Sequence, residues 1–217
     1  MGHIFSGSAV VDFHNTTGFA NSSAQSPPIV TIFTHDGKSQ QQSLAYSNDD
    51  GISYTKYLGN PVIPNPNPST GNNETIKDFR DPNIYRFNDY KWILLLAAGD
   101  RIIFYSSWNL KNWDKLSEFG VEPTRTGNHD GVWECPTLIK FDYEGSEKYV
   151  ILLSINPGGP NGGSVTQYFI GDFDGIKFTL DPSFEDGRTR YLDFGPDNYA
   201  SIAFSGTRTV IGWMNNW

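Results

Sequence analysis

Arg80-Asp81-Pro82-Asn83-Ile84-Tyr85-Arg86-Phe87, a turn, and then Lys91-Trp92-Ile93-Leu94-Leu95-Leu96 form a pattern that the chain writes twice. The second copy is Glu134-Cys135-Pro136-Thr137-Leu138-Ile139-Lys140-Phe141, a turn, and Lys148-Tyr149-Val150-Ile151-Leu152-Leu153. Pro82 and Pro136 lie 54 positions apart. Each copy puts an acid, Asp81 or Glu134, just before a first strand. Each second run is continuously apolar, as in a strand buried on both faces.

The rest of the unit recurs too. Ile103-Phe104-Tyr105-Ser106-Ser107 followed by Asn112-Trp113 echoes Leu44-Ala45-Tyr46-Ser47 followed by Ser53-Tyr54. Gln167-Tyr168-Phe169-Ile170-Gly171 with Lys177-Phe178 is a looser copy. Asn198-Tyr199-Ala200-Ser201-Ile202-Ala203 with Val210-Ile211-Gly212-Trp213 opens a further unit. Upstream, Ile4 to Asp12, Ile29 to His35, Gln42 to Ser47 and Tyr54 to Tyr57 read as strands, with Asp36-Gly37 as a hairpin turn. Asn60 to Asn73, rich in proline and asparagine, reads as a long exposed loop.

Four short strands per unit predict an all-β fold built of β-propeller blades, about three and a half of them. No amphipathic run of helical length competes. A β-sandwich is the rival architecture, but it gives no reason for acids to recur at one place in successive units. In a propeller the first strand of each blade lines the central channel, so Asp81 and Glu134 would face one funnel. Two carboxylates across one cavity is the arrangement that glycosidic cleavage requires. Glu134 stands between Trp133 and Cys135, surroundings that favour a protonated carboxyl. The alternative for Glu134 is a structural ion pair with an arginine elsewhere in the chain.

The composition narrows the partners. The 217 residues carry a formal net charge of -8, with 15% aromatic and 18% charged residues. An acidic surface does not suit nucleic acid, whose phosphates need basic groups, nor an anionic membrane. An uncharged polar ligand such as a sugar suits it better. No run of about 18 apolar residues marks a membrane span. With Cys135 the single cysteine, no internal disulfide can form. Asn15-Thr16-Thr17, Asn21-Ser22-Ser23 and Asn73-Glu74-Thr75 are sequons in polar segments and point to a secreted glycoprotein. No signal peptide is legible, so the start is expected to be missing. His3, His14, His35 and His129 are scattered without metal-ligand spacing. Gly158 to Gly163 lacks the lysine and helix of a phosphate loop and reads as a turn. Neither a metal nor a cofactor is expected.

Taken together, Phe5-Ser6-Gly7-Ser8, Arg80-Asp81-Pro82, Glu134-Cys135-Pro136 and Trp213-Met214-Asn215-Asn216-Trp217 resemble glycoside hydrolase family 32 in order and spacing. Ser154-Ile155-Asn156-Pro157-Gly158-Gly159-Pro160 and Gly162-Gly163-Ser164 look like that family's yeast and fungal invertases, inulinases and fructosyltransferases. The resemblance implies a five-bladed β-propeller followed by a β-sandwich, and cleavage of terminal fructosyl units of sucrose or fructans with retention. It implies that Glu134 is the acid/base and Asp81 the transition-state stabiliser, with Arg80 bracing Asp81 and keeping it ionised. Phe5 and Ser6 would line the fructose pocket, or pack as ordinary strand residues. Trp213 and Trp217 would offer the sugar a face, or belong to the core. Cys135 would pack behind Glu134; a nucleophilic role would need a histidine partner, for which His129 is the close candidate.

The sequence departs from the family pattern in one respect. The nucleophilic aspartate belongs to a Trp-Met-Asn-Asp-Pro-Asn-Gly stretch, and residues 1–217 contain no Asn-Asp-Pro-Asn. Trp213-Met214-Asn215-Asn216 resembles it superficially, with asparagine where a carboxylate is needed. The expectation is an internal fragment of a catalytic domain, with the nucleophile upstream and the fifth blade and sandwich downstream. A sugar-binding propeller without catalysis and a fructosyltransferase are the alternatives. An arabinan-cleaving relative fits the Phe-Ser-Gly-Ser and Glu-Cys-Pro stretches poorly.

Overall fold

The computed structural model of the chain describes residues 2–22, 26–66, 75–123, 125–184, 186–204, 207 and 209–214. Every sheet is an antiparallel meander whose strands pair in chain order. The first contains β1 (His3–Val11), β2 (Ile29–Asp36), β3 (Gln40–Ser47) and β4 (Thr55–Lys56). The second contains β5 (Phe79–Asn88), β6 (Lys91–Ala98), β7 (Ile102–Ser107) and β8 (Asp114–Phe119). The third contains β9 (Val132–Tyr143), β10 (Ser146–Asn156), β11 (Val165–Phe173) and β12 (Phe178–Leu180). A two-stranded sheet of β13 (Asn198–Ala203) and β14 (Val210–Met214) follows. The leading strands touch in succession, β1 on β5, β5 on β9 and β9 on β13. The sheets are thus stacked like propeller blades with their first strands innermost.

The apolar second strands explain the stacking. Along β6, Trp92, Leu94, Leu96 and Ala98 enter one buried cluster with Val30, Ile32, Leu44 and Phe79 of the first blade and its border. The alternate residues Ile93 and Leu95 enter another with Trp133, Ile151, Leu153 and Phe169 of the third. A strand that faces two neighbouring blades must be apolar at every position, because its side chains alternate between them. The β9–β10 turn is equally local in origin. Glu144 and Gly145 both take positive φ, 50° and 78°, and Tyr143 pairs with Ser146, as in a two-residue hairpin of the primed type.

Two expectations need correction. The acids do not precede their strands: Asp81 lies inside β5 and Glu134 inside β9. The stretch Asn60 to Asn73 is not simply an exposed loop, although its residues 67–73 lie outside the described residues. Asn60 clasps both backbone groups of Leu44, at 2.7 and 2.8 Å. Ile63 is buried and bridges Gln42.

What places the acids is an irregularity shared by all four innermost strands. In β1, Phe5 and Ser6 stand opposite the single residue Thr34. In β5, Asp81 and Pro82 stand opposite Leu96, and in β9, Cys135 and Pro136 opposite Leu153. In β13, Ala200 and Ser201 stand opposite Gly212. Each is a bulge of two residues against one, a feature that re-aims side chains. The bulge leaves backbone groups out of the ladder, which is why Pro82 and Pro136 are tolerated within strands. Asp81, Cys135 and Ala200 take positive φ, 62°, 51° and 53°, a conformation that costs a non-glycine residue free energy and persists where surrounding contacts enforce it.

Candidate active site

The bulges open onto one cleft of about 630 Å³, within the usual range for small-molecule sites. Ile4, Phe5 and Ser6 line it from β1, Arg80 and Asp81 from β5, and Glu134 and Cys135 from β9. Asn156, Tyr199, Ala200 and Trp213 complete the lining. The structure therefore brings together Glu134, Asp81, Arg80, Phe5, Ser6, Trp213 and Cys135. Trp217 lies outside the described residues. The sequence reading missed Ile4, Asn156, Tyr199 and Ala200. A usable signal existed for Tyr199, since Tyr199-Ala200-Ser201 falls where the earlier units carry their Arg-Asp-Pro and Glu-Cys-Pro stretches.

In β5, β9 and β13 the amide of the first bulge residue finds its acceptor on the preceding sheet. Asp81 N–H donates to Thr34 Oγ1 at 3.0 Å, and Ala200 N–H to Ser154 Oγ at 2.8 Å. Cys135 N–H donates to Asp81 Oδ2 at 3.0 Å, so the acceptor there is the candidate catalytic carboxylate itself. The Cys135 thiol points to the same oxygen at 3.6 Å. Cys135 thus supports Asp81 rather than lying behind Glu134. Burial, with the Asp81 and Glu134 charges adding to it, pushes its thiol well above the ordinary value, so the reactive thiolate is disfavoured. His129 is engaged elsewhere: its ring stacks on Trp133 at 4.6 Å and bonds Thr126 O at 3.0 Å.

Arg80 does not brace its neighbour Asp81. Its Nε and Nη2 donate to Glu134 Oε1 at 3.0 and 2.9 Å, and its Nη1 to Asp78 Oδ1 at 2.5 Å. The arginine pairing weighed as the alternative for Glu134 therefore exists, inside the cleft. The other carboxylate oxygen, Oε2, accepts from the Tyr199 hydroxyl. Burial raises the Glu134 carboxyl above its ordinary value, against the pull of Arg80 and with help from the nearby Asp81 and Asp78 charges. Burial also raises Asp81, against the Cys135 amide and the Arg80 charge. The expected lowering of Asp81 by Arg80 is present but outweighed, because Asp81 is only 7% exposed. Such a site favours the proton on Glu134 more than water does, so the group can give it up and take it back. Among the described residues, no three His, Cys, Asp or Glu side chains gather as metal ligands.

The model of the "Glycosyl hydrolases family 32 N-terminal domain" matches residues 1–217. A levanase of Bacillus subtilis (strain 168) is 45% identical over 227 residues, covering 100% of this chain and 31% of that protein. An invertase of Schizosaccharomyces pombe is 40% identical over 227 residues, covering 98% of this chain and 36% of that protein. An extracellular exo-inulinase of Aspergillus awamori is 40% identical over 242 residues, covering 98% of this chain and 44% of that protein. A crystal structure of exo-inulinase from Aspergillus awamori superposes with a TM-score of 0.85 at 38% identity, covering 99% of this chain and 46% of that one. The chain thus spans less than half the length of each of these proteins.

Proposed function

The chain belongs to glycosyl hydrolase family 32, and from that premise we propose that it carries the acid/base side of the active site of a retaining β-fructofuranosidase. The substrate is a terminal β-fructosyl unit of sucrose or of a fructan, bound in a five-bladed propeller. One observation carries the reading: a Glu134 carboxyl of raised proton affinity opens onto the cleft, clasped on one oxygen by Arg80. Glu134 protonates the leaving oxygen and later takes a proton from the incoming water. Asp81, with Oδ2 committed to Cys135, turns Oδ1 to the sugar hydroxyls. There it stabilises the cation-like transition state. The family pattern supplies the nucleophile from its Asn-Asp-Pro-Asn stretch. In a retaining site that carboxyl stands about 5–5.5 Å from the acid/base. Phe5, Ser6 and Trp213 shape the sugar pocket. The sequons and the extracellular exo-inulinase among the relatives support secretion.

The test is Glu134→Gln in the full-length protein, with sucrose, inulin and levan as substrates. kcat is expected to fall by about 10²–10⁴, the contribution typical of general acid–base catalysis, while fructose binding survives. An aryl fructofuranoside, whose leaving group needs no proton, should lose much less in the first step. A variant that keeps more than about a tenth of kcat on sucrose removes Glu134 from the acid role. A wild-type protein that binds fructose without turnover points instead to a sugar-binding propeller.

A further inference from the structure

Glu134 is held from both sides by the residues that occupy its own place in the neighbouring blades. Arg80, Glu134 and Tyr199 are each the last paired residue before the bulge, in β5, β9 and β13 respectively. Arg80 gives two N–H groups to Oε1, at 3.0 and 2.9 Å. The Tyr199 hydroxyl meets Oε2. Tyr199 is 5% exposed, and the amide of the next residue is pinned to Ser154 Oγ at 2.8 Å, so the phenol is delivered from a fixed backbone.

We propose that Tyr199 is a positioning residue for the acid/base, which assigns the proton of Glu134 to Oε2 and holds that oxygen in line with the leaving group. This rests on the fructosidase reading above. The two groups flanking the carboxyl differ in one decisive respect. A guanidinium only donates, so Oε1, already accepting two N–H bonds, cannot also carry the proton without setting donor against donor. A phenol both donates and accepts. It donates to Oε2 when Glu134 is ionised and accepts from Oε2–H in the free acid, and when substrate is bound that O–H turns from the phenol to the glycosidic oxygen. In the first step the Oε2–H bond breaks and the proton passes to the glycosidic oxygen. That oxygen keeps the electron pair of the breaking C–O bond, while the nucleophilic carboxylate supplies a pair to the fructosyl carbon. In the second step water gives its proton to Oε2 as its oxygen bonds to that carbon, and the carboxylate nucleophile leaves with its pair.

The charged groups facing Glu134 are Arg80, which favours the carboxylate, and Asp81 and Asp78, which favour the acid, with the Cys135 thiol beside it. Tyr199 adds a neutral donor on the carboxylate side of this balance. Removing its hydroxyl lets Glu134 keep its proton to higher pH. The alkaline limb of kcat/KM reports loss of the acid's proton in the free enzyme. In full-length Tyr199→Phe that limb should move up by about one pH unit, the change expected for one charge-assisted hydrogen bond, and kcat on sucrose should fall about tenfold. With 3-fluorotyrosine at position 199, a more acidic phenol donates more strongly and the limb should move down. This second change leaves the shape almost untouched, so it decides the matter even if the phenylalanine variant fails to fold. The Glu134 carboxyl titration read by 13C NMR should move in the same two directions and needs no turnover. A titration that stays in place with both side chains overturns the proposal. If the wild-type protein releases no fructose from sucrose, inulin or levan, the fructosidase reading fails, while the NMR titration still decides the role of Tyr199.

Discussion

Asp81 pays for its place twice, with a φ of 62° and with burial of a carboxylate that would rather be protonated there. Both terms oppose folding and both serve the site, since the bend aims the side chain and the dryness strengthens its field on a sugar cation. The sign of the pH dependence follows. A carboxyl whose folded value lies above its unfolded value of 3.8 contributes stability below that value and loses it as pH rises through the folded one. Asp81→Asn removes this loss, and asparagine tolerates positive φ. The variant should therefore melt above wild type at pH 7, by about 2–4 °C for each kcal/mol recovered, with the gain vanishing near about pH 4. Calorimetry at the two pH values checks it. The same variant should lose far more in kcat than it gains in KM, because the charge acts on the transition state; an effect confined to KM would make Asp81 a ground-state binder. Arg80 teaches a related lesson. Arg80 is the last paired residue before the bulge and reaches Glu134 on the next sheet, while Asp81, within the bulge, is turned to the Cys135 amide, although both open onto one cleft.

The element that organises the site is the repeated bulge. Its free amide must be paired, and at β5, β9 and β13 the acceptor comes from the sheet before. At β5 the borrowed group is Thr34, fully buried, which accepts from Asp81 N–H at 3.0 Å and donates to Gln42 Oε1 at 2.8 Å. Gln42 in turn donates to Phe79 O at 2.8 Å, closing the chain back onto β5. Thr34→Val keeps the shape and strands two buried polar groups. It should cost roughly 1–3 kcal/mol per stranded group, a fall in melting temperature of about 2–4 °C per kcal/mol, together with a loss of kcat as Asp81 loosens. Thr31→Val on the same strand removes only a part-buried bond to Ala45 O at 3.1 Å and is the control. Equal losses for the two variants would show that the amide of Asp81 finds another acceptor. The continuous apolar run of β6 announced a two-faced strand from the sequence. The bulges did not announce themselves, because two residues against one is a property of pairing with the neighbouring strand.

Across the described residues, the interfaces among the first three sheets are apolar, and the last sheet leaves apolar side chains exposed. The clusters between the first and second sheets, and between the second and third, bury large aliphatic and aromatic side chains. On β14, Ile211 is 59% and Met214 86% exposed. Apolar sheet surface of this kind drives association when nothing covers it. A polypeptide of residues 1–217 expressed by itself is therefore expected to elute as an associated species. It should also release no fructose from sucrose or inulin if, as proposed above, the nucleophile is the aspartate of an Asn-Asp-Pro-Asn stretch, because removing one catalytic member leaves only residual catalysis. Gel filtration and a fructose assay test both parts. Robust turnover by a soluble monomer would show that a residue within 1–217 serves as nucleophile and that the family mechanism has been carried over wrongly.

The sequence by itself determined the all-β character, the strand runs, the family and the two acids of Arg80-Asp81-Pro82 and Glu134-Cys135-Pro136. These are local signals: alternation, apolar runs, turn residues and short motifs, all readable within a few positions. The tertiary structure alone decided who holds whom. Arg80 clasps a carboxylate 54 residues away, Tyr199 meets the same carboxylate across 65 residues, and Cys135 lends its amide to Asp81. These pairings arise because equivalent bulges of successive blades converge on one axis. That convergence is a consequence of how the sheets stack on their buried faces, and no single stretch of the chain carries it.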